Sequence, residues 1–233
     1  MLADFHNHSC LSPCASLEMS PRKLAWTAAA AGVGIMALTD HNSARNTPAF
    51  AAACREAGIM PLCGLEITTA EECHVLALFD TPAAALEMGT WVWEALPDYP
   101  LDIERFGDQP VVDEHEMIVE LIDTLLTSAI HHTFQEIQDE TQRRGGLFIP
   151  AHINRQAFSV ESQLGFLPPG HYDAIEVLAP QACAYQQRYP DIPVITASDA
   201  HAPEQIAKHP FQLDFSHPTI PAIREALANL TRL

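Results

Sequence analysis

Leu2-Ala3-Asp4-Phe5-His6-Asn7-His8 opens the chain with a short strand-like run that ends on two histidines. The pattern recurs along the sequence. Ile35-Met36-Ala37-Leu38 leads into Thr39-Asp40-His41, Leu147 to Ala151 leads into His152, and Pro193 to Ala197 leads into Ser198-Asp199-Ala200-His201. Glu66 sits within the run from Ile59 to Ile67, and Val75 to Phe79 and Ala174 to Leu178 complete seven predicted strands. Helical stretches separate them. Ser20-Pro21 reads as an N-cap with proline at the first helical position, Leu24, Ala28 and Ala31 line one face, and Gly32 ends that helix. Further helices are predicted from Thr47 to Ala57 before Gly58, from Phe134 to Arg144 before Gly145-Gly146, and from Ala222 to Leu230. Strands alternating with helices give an α/β fold, a mostly parallel sheet or barrel, whose strand ends converge on one mouth.

The stretch from 80 to 112 breaks this rhythm, with prolines at 82, 97, 100 and 110 and aromatics Trp91, Trp93, Tyr99 and Phe106. Ile118, Leu121, Ile122, Leu125 and Leu126 follow helical spacing, so a helix is predicted there, with Asp113, Glu114 and Glu116 as its N-terminal charge. Residues 80–145 as a whole are expected to form an insertion or cap within a single domain spanning 1–233.

The chain has 233 residues, 48% of them hydrophobic, enough for one sizeable core. Its net charge of −18 predicts a far field that repels nucleic acid and anionic membranes, so neither duplex nucleic acid nor membrane is expected as a partner. No apolar run reaches spanning length and the start lacks a signal peptide's basic residues, so a cytoplasmic location is expected. Six cysteines without a CxxC pair are expected to be reduced. Twelve histidines in so acidic a chain point to cations held by imidazole and carboxylate.

His6 and His8 are two apart, so on an extended strand both rings face one way and can share a cation, and Asp199 with His201 repeats the spacing. Asp40 and His41 point apart, so one can ligate while the other anchors a neighbouring imidazole from behind. Asp40 can equally cap the helix that begins near Arg45. Glu66, buried after an apolar run, needs a counter-charge.

The series His6-x-His8, Thr39-Asp40-His41, Gly64-Leu65-Glu66, His74, Ala151-His152 and Ser198-Asp199-Ala200-His201 resembles the polymerase and histidinol phosphatase (PHP) superfamily of metal-dependent phosphoesterases. The resemblance implies a distorted seven-stranded (β/α) barrel with two or three divalent ions, Zn, Mn or Fe, at its mouth. It assigns a first cation to His6, His8, Glu66 and Asp199, a second to Glu66, His74 and His152, and a third to His41 and His201. Cys14 stands where other members place a histidine, and is either a thiolate ligand or beside a weak or absent third ion. His74 precedes its strand, against the strand-end pattern, and rests on the resemblance. Asp40, His201 and Arg155 are the expected catalytic residues, with Arg155 and Arg45 as phosphate-binding groups.

The implied activity is hydrolysis of a phosphoester of a small metabolite, nucleotide or short oligonucleotide by metal-activated water. Two alternatives stay open: a C–N hydrolase of amidohydrolase type, against which the lack of a lysine at any strand end counts, and a non-catalytic metal- or nucleotide-binding regulator. His115, His131, His132, His171, His209 and His217 are assigned to surface, caps or packing.

Overall fold

The structure is a computed structural model that describes residues 1–215 and 219–232, so His217 lies outside the described residues. Ten strands are present: β1 (Leu2–Asp4), β2 (Val33–Leu38), β3 (Met60–Thr68), β4 (His74–Phe79), β5 (Pro110–Val112), β6 (Ile118–Leu121), β7 (Leu147–Pro150), β8 (Ile175–Glu176), β9 (Val194–Ile195) and β10 (Phe211–Gln212). The α-helices are α1 (Pro21–Ala30), α2 (Thr47–Ala57), α3 (Pro82–Glu94), α4 (Ile103–Phe106), α5 (Phe134–Arg143), α6 (Val160–Leu164), α7 (Ala182–Arg188) and α8 (Ile220–Asn229). Local signals act as read. Ser20 accepts a hydrogen bond from the Lys23 amide at the start of α1, and α2 ends on Gly58 at φ +76°, a conformation that costs glycine little.

Six strands form one curled sheet in the order β10-β1-β2-β3-β4-β7. β1, β2 and β3 are mutually parallel, whereas β4 runs antiparallel to both β3 and β7. Both faces are buried, so residues alternate between two cores. Ile35 and Ala37 of β2, Leu62 of β3 and Leu76 and Leu78 of β4 pack inward with Ile223 and Leu227 of α8. Met36 and Leu38 pack outward against α1 and α2, while Val75, Ala77 and Phe79 pack against α3 and α5.

The seven predicted strands all exist, but they do not form one seven-stranded ladder. β8 and β9 pair only with each other, and β10 adds a strand that had no sequence prediction. Single backbone contacts link the two sheets: the Ile153 amide donates to the Glu176 carbonyl, and Asn7 bridges Ala200 in parallel register. His152 at φ +29° and Asp199 at φ +46° turn the chain out of extended geometry where those ladders would continue.

Residues 80–145 also differ from expectation. α3 buries Ala85, Met88 and Val92 against the sheet, and α5 buries Phe134 and Ile137, so both belong to the helical wrap. The helix predicted around Ile118 is instead a hairpin of β5 and β6. Asp113 forms its turn, its Oδ1 accepting from the amides of His115 and Met117. Downstream, buried Gln109 takes up the backbone: its Nε2 donates to the carbonyls of Ile122 and Thr124, and its Oε1 accepts from the Leu126 amide. Those backbone groups find side-chain partners, which removes the need for a helix. Among the described residues no helix is long and apolar enough to cross a membrane.

Candidate metal centre

β1, β2 and β3 end at one rim, and their following residues are cross-tied there. The Thr39 amide donates to the Asn7 carbonyl, the Glu66 amide to the Asp40 carbonyl, and the His8 amide to the Ala200 carbonyl. Because β4 is antiparallel, its first residue rather than its last lies at this rim, which explains how His74 precedes its strand and still joins the cluster.

Glu66 is the hub. Its carboxylate is 1% exposed and has five imidazoles around it: His74 Nδ1 at 2.8 Å, His41 Nδ1 and His152 Nε2 at 3.1 Å, His6 Nε2 at 3.2 Å and His8 Nε2 at 3.4 Å. Asp199 adds a second carboxylate, its Oδ1 3.3 Å from His6 Nε2 and 3.2 Å from His8 Nε2. The His201 ring lies tilted against that of His8 with centroids 4.2 Å apart, and its Nδ1 donates to the Asp199 carbonyl at 2.8 Å. Four triads bring one ligand atom from each residue within 4.8 Å of the others: His6–His8–Asp199, His6–Glu66–His152, His41–Glu66–His74 and His8–His41–His201. These include every predicted ligand except Cys14.

The donor set fits divalent ions. The buried Nδ1 atoms of His41, His74 and His152 have no hydrogen-bond partner, although those of His41 and His74 lie beside the Glu66 carboxylate. Their lone pairs and the carboxylate converge without the geometry of a hydrogen bond, an arrangement that a cation satisfies. Imidazole nitrogen and carboxylate oxygen together suit Zn, Mn or Fe.

The electrostatics follow from burial and crowding. Burial opposes charge on Glu66 and Asp199, but the surrounding imidazoles outweigh it and hold both carboxyls well below the usual range. His41 is pushed well below its ordinary value, and His8 to about 4, mainly by burial and then by neighbouring imidazoles. His6 behaves oppositely. Burial disfavours its charge, yet Glu176, Glu66 and Asp199 together hold its pKa well above normal.

Three of these contacts involve residues outside the sequence reading. Glu176, buried on β8, places Oε2 2.8 Å from His6 Nδ1 and so sets that ring's orientation. Its signal was a lone acid inside the apolar run Ala174-Ile175-Glu176-Val177-Leu178. Ser12 donates to Asp40 Oδ1 at 2.7 Å, with its Oγ 3.1 Å from His8 Nδ1. Phe158 stacks on His74 with ring centroids 5.0 Å apart.

Among the described residues the Asp40 carboxylate bonds no side chain of the cluster directly. It accepts from the Ser9 amide and from the hydroxyls of Ser9 and Ser12, so it reaches His8 through Ser12. Burial raises its pKa to about 6 against those hydrogen bonds. Cys14 is exposed and lines the mouth, but belongs to none of the four triads among the described residues. Desolvation, then the charges of Glu66 and Asp199, pushes its thiol up to about 12.

Arg155 faces the cluster, with Nη1 3.2 Å from Asp199 Oδ2, and lines a cavity of 250 Å³ with His41, Glu66, His74 and His201. Arg45 does not. Its guanidinium bonds Glu120 at 2.6 Å and lies over the Trp93 ring, so the hairpin draws it away from the mouth and the expected phosphate contact is lost.

Comparison with known proteins places this geometry. Residues 4–87 match the family model of the PHP domain. No curated protein matches the sequence. Among solved structures, a lesion-specific endonuclease, EndoQ from Pyrococcus furiosus, superposes with a TM-score of 0.71 at 18% identity over 98% of this chain. This chain spans only 56% of that protein's length. A further structure of Endonuclease Q, with a 27-mer duplex carrying an abasic lesion at its active site, gives 0.66 at 18% identity over 97% of this chain and 56% of that one. A Bifidobacterium adolescentis protein assigned as a metal-dependent phosphoesterase gives 0.62 at 17% identity, covering 97% of this chain and 95% of that one. An amidohydrolase from Chromobacterium violaceum with bound sulfate gives 0.60 at 19% identity, covering 97% and 96%.

The duplex complex overturns the expectation that duplex nucleic acid is excluded as a partner. Net charge is a far-field sum and does not determine whether a local centre meets a phosphate. The stretch that matches the PHP domain model, residues 4–87, carries His6, His8, His41, Glu66 and His74, and the solved structures above share this chain's fold.

Proposed function

We propose that this protein is a metal-dependent phosphoesterase whose ions are held by His6, His8, His41, Glu66, His74, His152, Asp199 and His201. The observation that carries the proposal is one buried carboxylate, Glu66, surrounded by five imidazoles, with the two ring nitrogens His41 Nδ1 and His74 Nδ1 beside it lacking a hydrogen-bond partner among the described residues. Divalent ions bound there supply Lewis acidity and a water acidified towards neutral pH.

The chain's own residues do the rest. Glu66 and Asp199, held ionised by the imidazoles around them, offset the cations' charge. Glu176 orients His6, and Ser12 with Asp40 orients His8, so the donors are set before binding. Arg155, 41% exposed at the mouth, can leave Asp199 for a phosphoryl oxygen. His201, a quarter exposed beside it, donates from Nδ1 to the Asp199 carbonyl and keeps Nε2 for an ion, so the departing alkoxide takes its proton from solvent at the mouth. The substrate class is a small phosphorylated metabolite, a nucleotide or a short oligonucleotide.

Purified protein should carry stoichiometric Zn, Mn or Fe and hydrolyse chromogenic phosphoesters, and His8→Ala should lose both properties. Metal-replete protein inactive on a broad panel of mono- and diesters would refute the reaction class. A second reading, C–N bond hydrolysis, draws on the likeness in fold to the Chromobacterium amidohydrolase. Neither lysine favours it, since Lys23 lies on α1 and Lys208 is exposed on a loop. Turnover of amides rather than phosphoesters by the same preparation would decide for it.

A further inference from the structure

Beside the metal centre lies a larger cavity, of 420 Å³, that the chemistry above leaves unused. His152, Glu176 and Asp199 line it, so it adjoins the cluster, and it shares no lining residue with the 250 Å³ mouth. Val177, Leu178, Ala179 and Ala197 make its body apolar. Lys208 and His209 line it as well.

Lys208 is one of only two lysines in a chain of net charge −18, and it has no ion pair or hydrogen bond through its side chain among the described residues. Arg22, Arg45, Arg143, Arg144, Arg155, Arg188 and Arg224 each meet a carboxylate, and Lys23, Arg55 and Arg105, which like Lys208 meet none among the described residues, line neither this cavity nor the mouth. A cation left without a carboxylate partner in so acidic a protein, lining a cavity that adjoins the cluster, is placed to meet an anion from outside.

The walls are braced. Ser198 Oγ accepts from the His209 amide and donates to Asp4, and Thr196 Oγ1 donates to the His209 carbonyl at 2.9 Å, which ties the Lys208 loop to the end of β9. Ala207 is held at φ +58° just before Lys208, an unfavourable conformation for alanine that the surrounding contacts maintain. Opposite, Asn154 Oδ1 accepts from the Leu178 amide at 3.0 Å. The lysine is therefore presented by an anchored loop, which leaves only its own side-chain rotamers to be ordered when an anion binds.

The geometry points to this cavity as the seat of the substrate's organic part, with Lys208 selecting phosphoesters whose organic part carries a second anionic group. The inference rests on the phosphoesterase reading for its account of turnover. The phosphoryl group sits at the cluster and Arg155, the organic part passes His152 and Asp199 onto the apolar wall, and its far anion meets Lys208.

The test separates the two claims by measuring binding as well as turnover. Metal-loaded protein is titrated calorimetrically with phenylphosphonate and with 3- and 4-carboxyphenylphosphonate, which cannot be hydrolysed, and is assayed with the corresponding phenyl phosphates. The carboxylated probe of better reach should bind roughly tenfold more tightly than the plain one, the scale of one charge-assisted hydrogen bond. Lys208→Met should collapse that ratio to near one, Lys208→Glu should invert it, and 0.5 M salt should shrink it in the wild type, because an exposed charge is screened. Unfolding midpoints equal to wild type establish that the variants are folded. A wild type that binds none of the probes or shows no carboxylate preference, or a preference that survives Lys208→Met, overturns the subsite. An intact, Lys208-dependent preference without turnover of any phenyl phosphate leaves the subsite standing and overturns the phosphoesterase reading alone.

Discussion

Removing the Glu176 carboxylate tests whether the metal centre depends on its outer contacts. Its Oε2 lies 2.8 Å from His6 Nδ1, and both side chains are buried. Two unit charges at that distance attract by about 6 kcal/mol at an effective dielectric constant of 20, an upper limit reduced by the several kcal/mol that burying the carboxylate costs. The remainder matches the roughly 10- to 100-fold change in metal affinity found when such partners are lost, or about 1.4–2.7 kcal/mol. Glu176→Ala should therefore weaken binding of the tightest ion by that factor, and Glu176→Gln, which can still accept from Nδ1, by less. The assay is competition against a chromogenic chelator, with circular dichroism verifying the fold. The sign of the pH dependence is a second readout. Against burial, Glu176 leads the acids that hold the His6 pKa well above normal, so wild-type metal uptake must displace a proton and affinity should climb with pH. In Glu176→Gln that climb should move to lower pH. A folded alanine variant with unchanged affinity and an unshifted pH curve would refute the orienting role.

Ser12→Ala cuts the side-chain route from Asp40 to His8, so turnover and metal affinity should fall about tenfold, with partial rescue by Ser12→Thr; unchanged chelator competition would contradict this. Gly64→Ala would set a Cβ 2.5 Å from the Ala77 carbonyl oxygen on the neighbouring strand, and thermal unfolding should show a loss of about 1–3 kcal/mol or more. Arg45→Ala should leave kcat/KM within about twofold, whereas Arg155→Ala should lower it about 10- to 100-fold; equal losses would restore Arg45 to the site. Thiol labelling of native protein read by peptide mapping should reach Cys14 and Cys183 and spare buried Cys10, Cys54, Cys63 and Cys73. Because burial and nearby carboxylates push the Cys14 thiol up to about 12, its labelling rate should rise about tenfold per pH unit through pH 10, and rapid labelling at pH 7 would refute that environment.

The pattern of the site was legible in the chain because its carriers are local. Polar residues after apolar runs mark His6, His8, His41, His152, Asp199 and His201, and caps such as Ser20-Pro21 and Gly58 act within one helical turn, so a few neighbouring residues suffice to specify them. Direction and pairing are not local. Only the tertiary structure reversed β4 and so brought His74 to the rim, paired Glu176 with His6 across 170 residues, and let Gln109 hold Ile122 to Leu126 in an extended path where helical spacing had pointed to a helix. It also drew Arg45 to Glu120 and left Lys208 facing a cavity. Strand direction and long-range charge pairing depend on which segments become neighbours, and that is determined by packing the whole sheet rather than by any window of sequence.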